Sequence, residues 1–415
     1  MPAQLNRPVV VLFGTLDTKA AEYQFVRDRL QEDGCEVVMV DTGVLGEPGT
    51  GCDVSRATVA AQSGADLAEL RERSDRGRAM EAMAAGAASV AADLRAQGRL
   101  DAALGLGGSN AAFVLSAVAA ALPVGVPKML VSTMAASDTR PYVRGTDLTL
   151  MYPVVDISGL NRISKRVLAN AAAGCAGMAR ATVPGSEALD KPIVAVSMFG
   201  VTTPCCSAIR DQLERTGAEV LTFHATGVGG QSMEGLVRSG FVQAVADITP
   251  TELADELMGG ICSAGPARLT AASDMGVPQV VSLGALDMVN FGPPETVPPR
   301  FGGRLFYRHN PTITLMRTSA DECAQLGRII ADKLNAATAP VVVLVPLQGM
   351  SQISVAGQPF YDPAADRALF EALSAHLDEK VVVEELDADI NDPRLAARAS
   401  GIIEKWLAEK GSLLR

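Results

Sequence analysis

Residues 9–30 read VVVLFGTLDTKAAEYQFVRDRL. Apolar residues Val9 to Phe13 run into Gly14, a polar turn follows from Thr15 to Lys19, and a helix-like stretch begins at Ala20. This is the layout of a strand feeding a helix through a phosphate-binding turn, where backbone N–H groups and the helix dipole favour an anion. It lacks the glycine spacing of a dinucleotide fingerprint and the Gly-Lys-Ser/Thr ending of a P-loop. Thr15, Asp17 and Thr18 also suit a helix start, so the turn reads as phosphate-facing and helix-capping at once.

The same unit returns later in the chain. VRDRLQEDGCEVV at 26–38 matches IRDQLERTGAEVL at 209–221, with Gly34 and Gly217 in register. Each copy reaches a Thr-Gly-Val turn, at 42–44 and 226–228, and each is expected to follow a strand ending in glycine, Gly14 and Gly200. Strands alternate with helices across the first half: helices are expected at 20–32, 55–61, 74–97 (capped by Ser74 and Asp75), 111–121 and 157–181. The second half adds strands in VQAVADITP, VPQVVSLG, APVVVLVP and KVVVEELD, and a last helix over 393–409 carrying Trp406. Alternation of this kind predicts an α/β protein with two Rossmann-like doubly wound parallel-sheet domains, residues 1–183 and 192–415, and a cleft between them. VPGSEALDKP, rich in turn residues, marks the boundary.

Composition narrows the setting. Of 415 residues 48% are apolar but only 4% aromatic, which suits buried parallel strands under closely packed helices. A net charge of −11 argues against nucleic-acid binding through a broad basic face. No apolar stretch reaches membrane-spanning length, and MPAQLNRP lacks a signal-peptide core. Seven scattered cysteines point to reduced thiols, and the expected setting is cytoplasmic.

Ligands of open α/β sheets bind beyond the carboxyl ends of strands. Four polar turns fall there: GTLDTK, DTGVLG, GLGGSN and VSTMAASD. The candidate phosphate-binding residues are Gly14, Thr15, Asp17, Thr18, Lys19, Gly107, Gly108, Ser109, Asn110, Ser132 and Thr133; Asp17 or Asp138 can hold Mg²⁺. In YRHNPTITLMRT, His309, Asn310 and Arg317 sit with Arg308 in a set suited to a carboxylate or phosphate, and Arg162 is a further polar candidate; a structural role is the plainer reading. His224, His309 and His376 are isolated, without zinc-ligand spacing. Cys205 and Cys206 stand where a helix should begin, and buried packing is the plainer reading than a nucleophile.

Together, GTLDTKAAEYQFVRDRL, DTGVLGEP, SDRGRAMEAMAAGA, LGLGGSN, LPVGVPKMLVSTMAASD, VVDISGLNRISKRVLANAA, FYRHNPTITLMRT and DADINDP resemble the tomato mosaic virus resistance protein family, in order and over nearly the whole chain. The resemblance implies two α/β subdomains, ATP binding in the N-terminal one, and a homodimer. Its plant member binds a viral replication protein and blocks replication. It places the ATP region on Gly14–Lys19 and Gly107–Ser109, with Mg²⁺ as a companion. Where the family's glycine turn continues Gly-Ser-Gly-Gly-Thr, this chain reads Gly108-Ser109-Asn110-Ala111-Ala112. The added Cβ atoms at Asn110 and Ala111 narrow the room for a phosphate, which predicts weakened or shifted ATP binding, or a smaller anion. The functional expectation is an ATP- or nucleotide-binding protein. The alternative is an enzyme acting on a small phosphorylated or carboxylate metabolite in the inter-domain cleft.

Overall fold

Val9–Gly14 forms a strand with every residue buried, and both of its faces carry a helical layer. In the computed structural model, which describes residues 7–73, 75–181 and 191–413, the chain divides into two compact units, 1–186 and 187–415. The first runs β1 (Val9–Gly14), α1 (Ala20–Glu32), β2 (Glu36–Asp41), α2 (Arg56–Gln62), α3 (Leu67–Arg73), α4 (Arg76–Ala96), β3 (Ala102–Gly107), α5 (Ser109–Ala121), β4 (Lys128–Ser132), α6 (Arg140–Val143), β5 (Leu148–Met151) and α7 (Arg162–Arg180). The sheet order is β2-β1-β3-β4-β5, and all neighbours are parallel.

Successive strand residues point to opposite faces. Val10 and Leu12 therefore meet Tyr23, Val26 and Leu30 of α1 and Leu168 and Cys175 of α7. Val11 and Phe13 meet Met83 and Val90 of α4 and Leu115 and Val118 of α5. The chain thus leaves β1 toward one face and β3 toward the other. The switch point lies between these two neighbouring strands, where open α/β sheets hold their ligands.

The second unit runs β6 (Ile193–Met198), α8 (Thr203–Arg215), β7 (Glu219–His224), α9 (Val228–Arg238), β8 (Ala244–Asp247), α10 (Glu252–Met258), α11 (Ala271–Asp274), β9 (Gln279–Ser282), β10 (Met288–Phe291), β11 (Phe306–Asn310), β12 (Ile313–Arg317), α12 (Ala320–Asn335), β13 (Val341–Pro346), α13 (Pro363–His376), β14 (Val382–Leu386) and α14 (Pro393–Leu413). Its parallel sheet has the order β14-β13-β9-β8-β6-β7, the first unit's winding plus one strand. The repeated sequence occupies equivalent places: Gly34 (φ +81) and Gly217 (φ +98) follow α1 and α8 in the left-handed conformation that glycine reaches at least cost.

Some expectations shift. Gly200 lies beyond the end of β6, in a 3₁₀ turn. The helix expected from 157 starts at Arg162, because Asn161 Oδ1 accepts from the N–H groups of Ile163 and Ser164, both at 2.9 Å. α5 begins at Ser109 rather than 111, α3 was not foreseen, and α14 runs to Leu413. A separate antiparallel sheet, β10-β12-β11, was also missed. Ser74 and most of the expected boundary, 183–190 of 183–192, lie outside the described residues. Among the described residues no helix is long and apolar enough to cross a membrane.

Candidate functional site

The carboxyl ends of β1 and β3 are held by Tyr23, which reaches back from α1. Its hydroxyl lies 2.5 Å from the Phe13 carbonyl and 3.0 Å from that of Leu106, and it accepts from Leu106 N–H at 2.9 Å. Complete burial pushes the phenol pKa up. The ring uses the space above Gly14, whose Cβ would lie 2.0 Å from Tyr23 Cζ. Gly14 is therefore glycine because of an aromatic ring rather than a ligand.

Beyond Gly14, Thr18 and Lys19 N–H donate to the Thr15 carbonyl, and the Thr15 and Thr18 hydroxyls meet at 3.0 Å. No side chain caps α1, contrary to the capping expected of Thr15, Asp17 or Thr18. Lys19 turns away to donate to the Ile157 carbonyl. Gly108, at the start of α5, likewise brings no side-chain cap. Two helices of 13 residues thus begin beside the switch point with first-turn amides that no capping side chain satisfies.

Asp17 has a different task. Its Oδ2 accepts from Gly46 N–H at 3.2 Å, and its carboxylate lies 3.9 Å from the Arg56 guanidinium. Arg56 Nε binds Asp41 Oδ2 at 2.7 Å, and Asp41 Oδ1 accepts from Leu16 and Gly43 N–H at 3.2 and 2.9 Å. The second unit repeats the arrangement with other residues. There Glu252 Oε1 accepts from Gly227 and Gly230 N–H, at 2.7 and 3.0 Å, and Arg268 Nε backs it at 2.6 Å. In both units the glycine amide of the Thr-Gly-Val turn is satisfied by an internal carboxylate braced by a buried arginine. DTGVLG, a candidate phosphate turn by sequence, is therefore closed to an external anion at these amides.

A cavity of about 430 Å³ opens at this end of the first unit, within the usual range for small-molecule sites. Its walls carry polar residues, Thr15, Asp17, Thr18, Thr42 and Asn110, together with apolar ones, Leu45, Leu70 and Met80. Asp75 and Arg76, at the start of α4, complete it: Asp75 Oδ1 caps that helix by accepting from Arg78 N–H at 3.1 Å, and Arg76 Nη2 lies 3.4 Å from Asn110 Oδ1.

Of the sequence-predicted residues, the cavity collects Thr15, Asp17, Thr18 and Asn110. Gly14, Lys19, Gly107, Gly108, Ser109, Ser132 and Thr133 are not among its walls. Ser132 is buried and accepts from Met134 N–H. Ala111, expected to crowd a phosphate, sits instead against Gly107, whose Cβ would lie 2.9 Å from the Ala111 methyl. Arg76, Leu45 and Met80 were missed: Arg76 looks like any helix-surface arginine until the fold brings α4 beside α5.

For Mg²⁺ the fit is poor. Asp138 is engaged by Arg140 at 2.8 and 2.9 Å, Asp17 is engaged as described, and no group of three His, Cys, Asp or Glu among the described residues is placed to hold a metal.

The substrate candidates do not converge. His309 and Asn310 are exposed at the tip of the β11–β12 hairpin, while Arg317 stands at its other end, buried, with Asp366 and the carbonyls of Phe360 and Thr318 as partners. Arg162 is exposed at the start of α7 in the other unit. Burial pushes the Cys206 thiol up to about 11 and raises Cys205 as well, so neither is poised as a thiolate nucleophile.

Fold and cavity define a protein of two doubly wound α/β units, with a small-molecule-sized cavity at the carboxyl ends of the first unit's strands. The chain belongs to the uncharacterised protein family UPF0261: the model of the family's N-terminal domain matches residues 8–184 and that of its C-terminal domain residues 191–407. A UPF0261 protein of Clostridium tetani is 44% identical over 393 residues, 94% of this chain and 97% of its own length. The ToMV resistance protein Tm-1(GCR237) of Solanum lycopersicum is 38% identical over 431 residues, covering 98% of this chain but 56% of that protein. Among solved structures, a UDP-N-acetylglucosamine 2-epimerase from Rickettsia bellii aligns over 66% of this chain and 79% of its own, at 9% identity and a TM-score of 0.24, too slight a likeness to carry an inference.

Proposed function

We propose that the N-terminal unit binds ATP or a closely related nucleotide, as the resemblance to the tomato protein family implies. The observation that carries this reading is a cavity with both polar and apolar walls at the strand ends from which two uncapped helices, α1 and α5, begin. Helix N-termini with free amides favour phosphate. Arg76 is the cation in the cavity wall and pairs with the phosphate charge; Leu45, Leu70 and Met80 take the base. Mg²⁺ arrives on the phosphates rather than on a carboxylate cage. In this reading the output is binding rather than turnover.

Thermal unfolding against ATP, ADP, AMP, adenosine and inorganic phosphate, each with and without Mg²⁺, tests this. A ligand at about 100 times its Kd stabilises the native state by roughly 2.7 kcal/mol, which raises Tm by several degrees. ATP should shift the wild type, and the shift should shrink in Arg76→Gln. No shift with any nucleotide overturns the reading.

A further inference from the structure

The motif FYRHNPTITLMRT holds an arginine that the fold separates from its sequence neighbours. Arg308 lies opposite Thr314 in the β11–β12 ladder, so the two side chains share one face of the small antiparallel sheet. Both line a cavity of about 370 Å³ whose remaining wall is apolar, with Val297, Pro298, Phe301 and Phe306. Phe301 is anchored on two sides: its ring centroid lies 5.4 Å from that of Phe291, and the Arg300 guanidinium lies 4.7 Å above it.

Two polar groups in this wall lack a use inside the protein. Thr314 is 4% exposed, and its buried Oγ1 has no hydrogen-bond partner. Arg308 is exposed and, among the described residues, makes no side-chain hydrogen bond or ion pair. A buried hydroxyl without a partner is costly and calls for an explanation. An unpaired guanidinium opposite it, beside a wall of phenyl and prolyl rings, supplies a reason: an acceptor that brings its own ring.

We propose that this cavity binds a small aromatic carboxylate. The ring packs against Phe301, Phe306 and Pro298, while the carboxylate accepts from the Arg308 guanidinium and the Thr314 hydroxyl. Cross-strand neighbours stand close enough for one carboxylate to reach both. A guanidinium–carboxylate pair supplies the orientation, and ring burial supplies the affinity.

Phenylacetate is the probe and 2-phenylethanol its neutral counterpart, titrated into the full chain by calorimetry with ligand-observed NMR as a second readout. Phenylacetate should bind saturably and more tightly than the alcohol. Arg308→Gln should weaken phenylacetate about tenfold or more and remove the preference for the acid, the unfolding profile staying unchanged because Arg308 supports nothing else. Thr314→Val should weaken the acid several-fold while stabilising the fold, since it removes an unsatisfied hydroxyl. ATP in excess should not compete. Absent phenylacetate binding, equal affinity for acid and alcohol, or unchanged affinity in Arg308→Gln would each overturn the assignment.

Discussion

The ring of Tyr23 occupies the place of a side chain on Gly14: a Cβ there would lie 2.0 Å from Tyr23 Cζ and 2.5 Å from the hydroxyl. The glycine that ends β1 and the tyrosine one helical turn into α1 are a single device. It ties β1 to β3 where the strands part company.

Gly14→Ala should therefore destabilise the first unit by at least ~2 kcal/mol, because the ring is fully buried and has nowhere to move. Tyr23→Phe should cost about 1–3 kcal/mol by leaving Leu106 N–H without its acceptor. Urea unfolding of both variants measures this, and wild-type stability in either would disprove the coupling.

Asp17 and Arg76 separate support from binding. Removing the Asp17 carboxylate leaves the Gly46 amide without its acceptor, while Arg56 keeps Asp41, so Asp17→Ala should lose about 1–3 kcal/mol of stability along with any ligand binding. Arg76 is exposed, and Arg76→Gln should leave stability within about 0.5 kcal/mol while weakening nucleotide binding. Denaturant midpoints and calorimetric affinities on the same two variants provide the check.

Leu45 is 77% exposed and lines the cavity. Leu45→Ser should leave the fold intact and weaken ATP and adenosine by similar factors, with inorganic phosphate unaffected. Equal loss for phosphate would mean that Leu45 shapes the loop rather than meets the base.

Asp255 makes stability depend on pH. Burial pushes its carboxyl up to about 7, against the opposing donors of Asn290 and Cys262 N–H. An acid whose folded pKa is raised contributes stability at low pH, and this contribution is lost as pH climbs from the unfolded value near 4 through about 7. The displacement from 3.8 to about 7 is worth at most ~4 kcal/mol. Asp255→Asn should flatten this part of the profile and gain on the wild type at pH 8. Asn290 aids the change, because its Oδ1 is buried without a partner and an amide reversal offers it to the new donor. Urea midpoints from pH 5 to 8 on both proteins settle the point.

The thiols should be slow to react. Cys35, Cys175, Cys205, Cys206, Cys262 and Cys323 are buried, and burial pushes each pKa up, to about 12 for Cys175 and Cys262. Cys52 is half-buried and shifted the same way. A disulfide reagent at pH 8 should titrate Cys52 first and all seven cysteines only in denaturant. A fast-reacting Cys205 or Cys206 would restore the nucleophile.

Local chemistry wrote the winding of both units into the sequence. The apolar runs ending at Gly14 and Gly107, the left-handed glycines 34 and 217, and the matched segments at 26–38 and 209–221 all act within a few residues of themselves, so they are legible in one dimension. The expectation that a ligand sits at the ends of β1 and β3 followed from alternation alone. What tertiary structure decided was the assignment of side chains to tasks. Gly14 answers to Tyr23, Asp17 to Gly46 and Arg56, and Arg317 to Asp366, while Arg76 meets Asn110 and Arg308 stands opposite Thr314. Each of these pairs joins residues from different elements. A polar residue's role depends on which partner the packing brings within about 3 Å of it, and a linear pattern of residue types does not encode that distance.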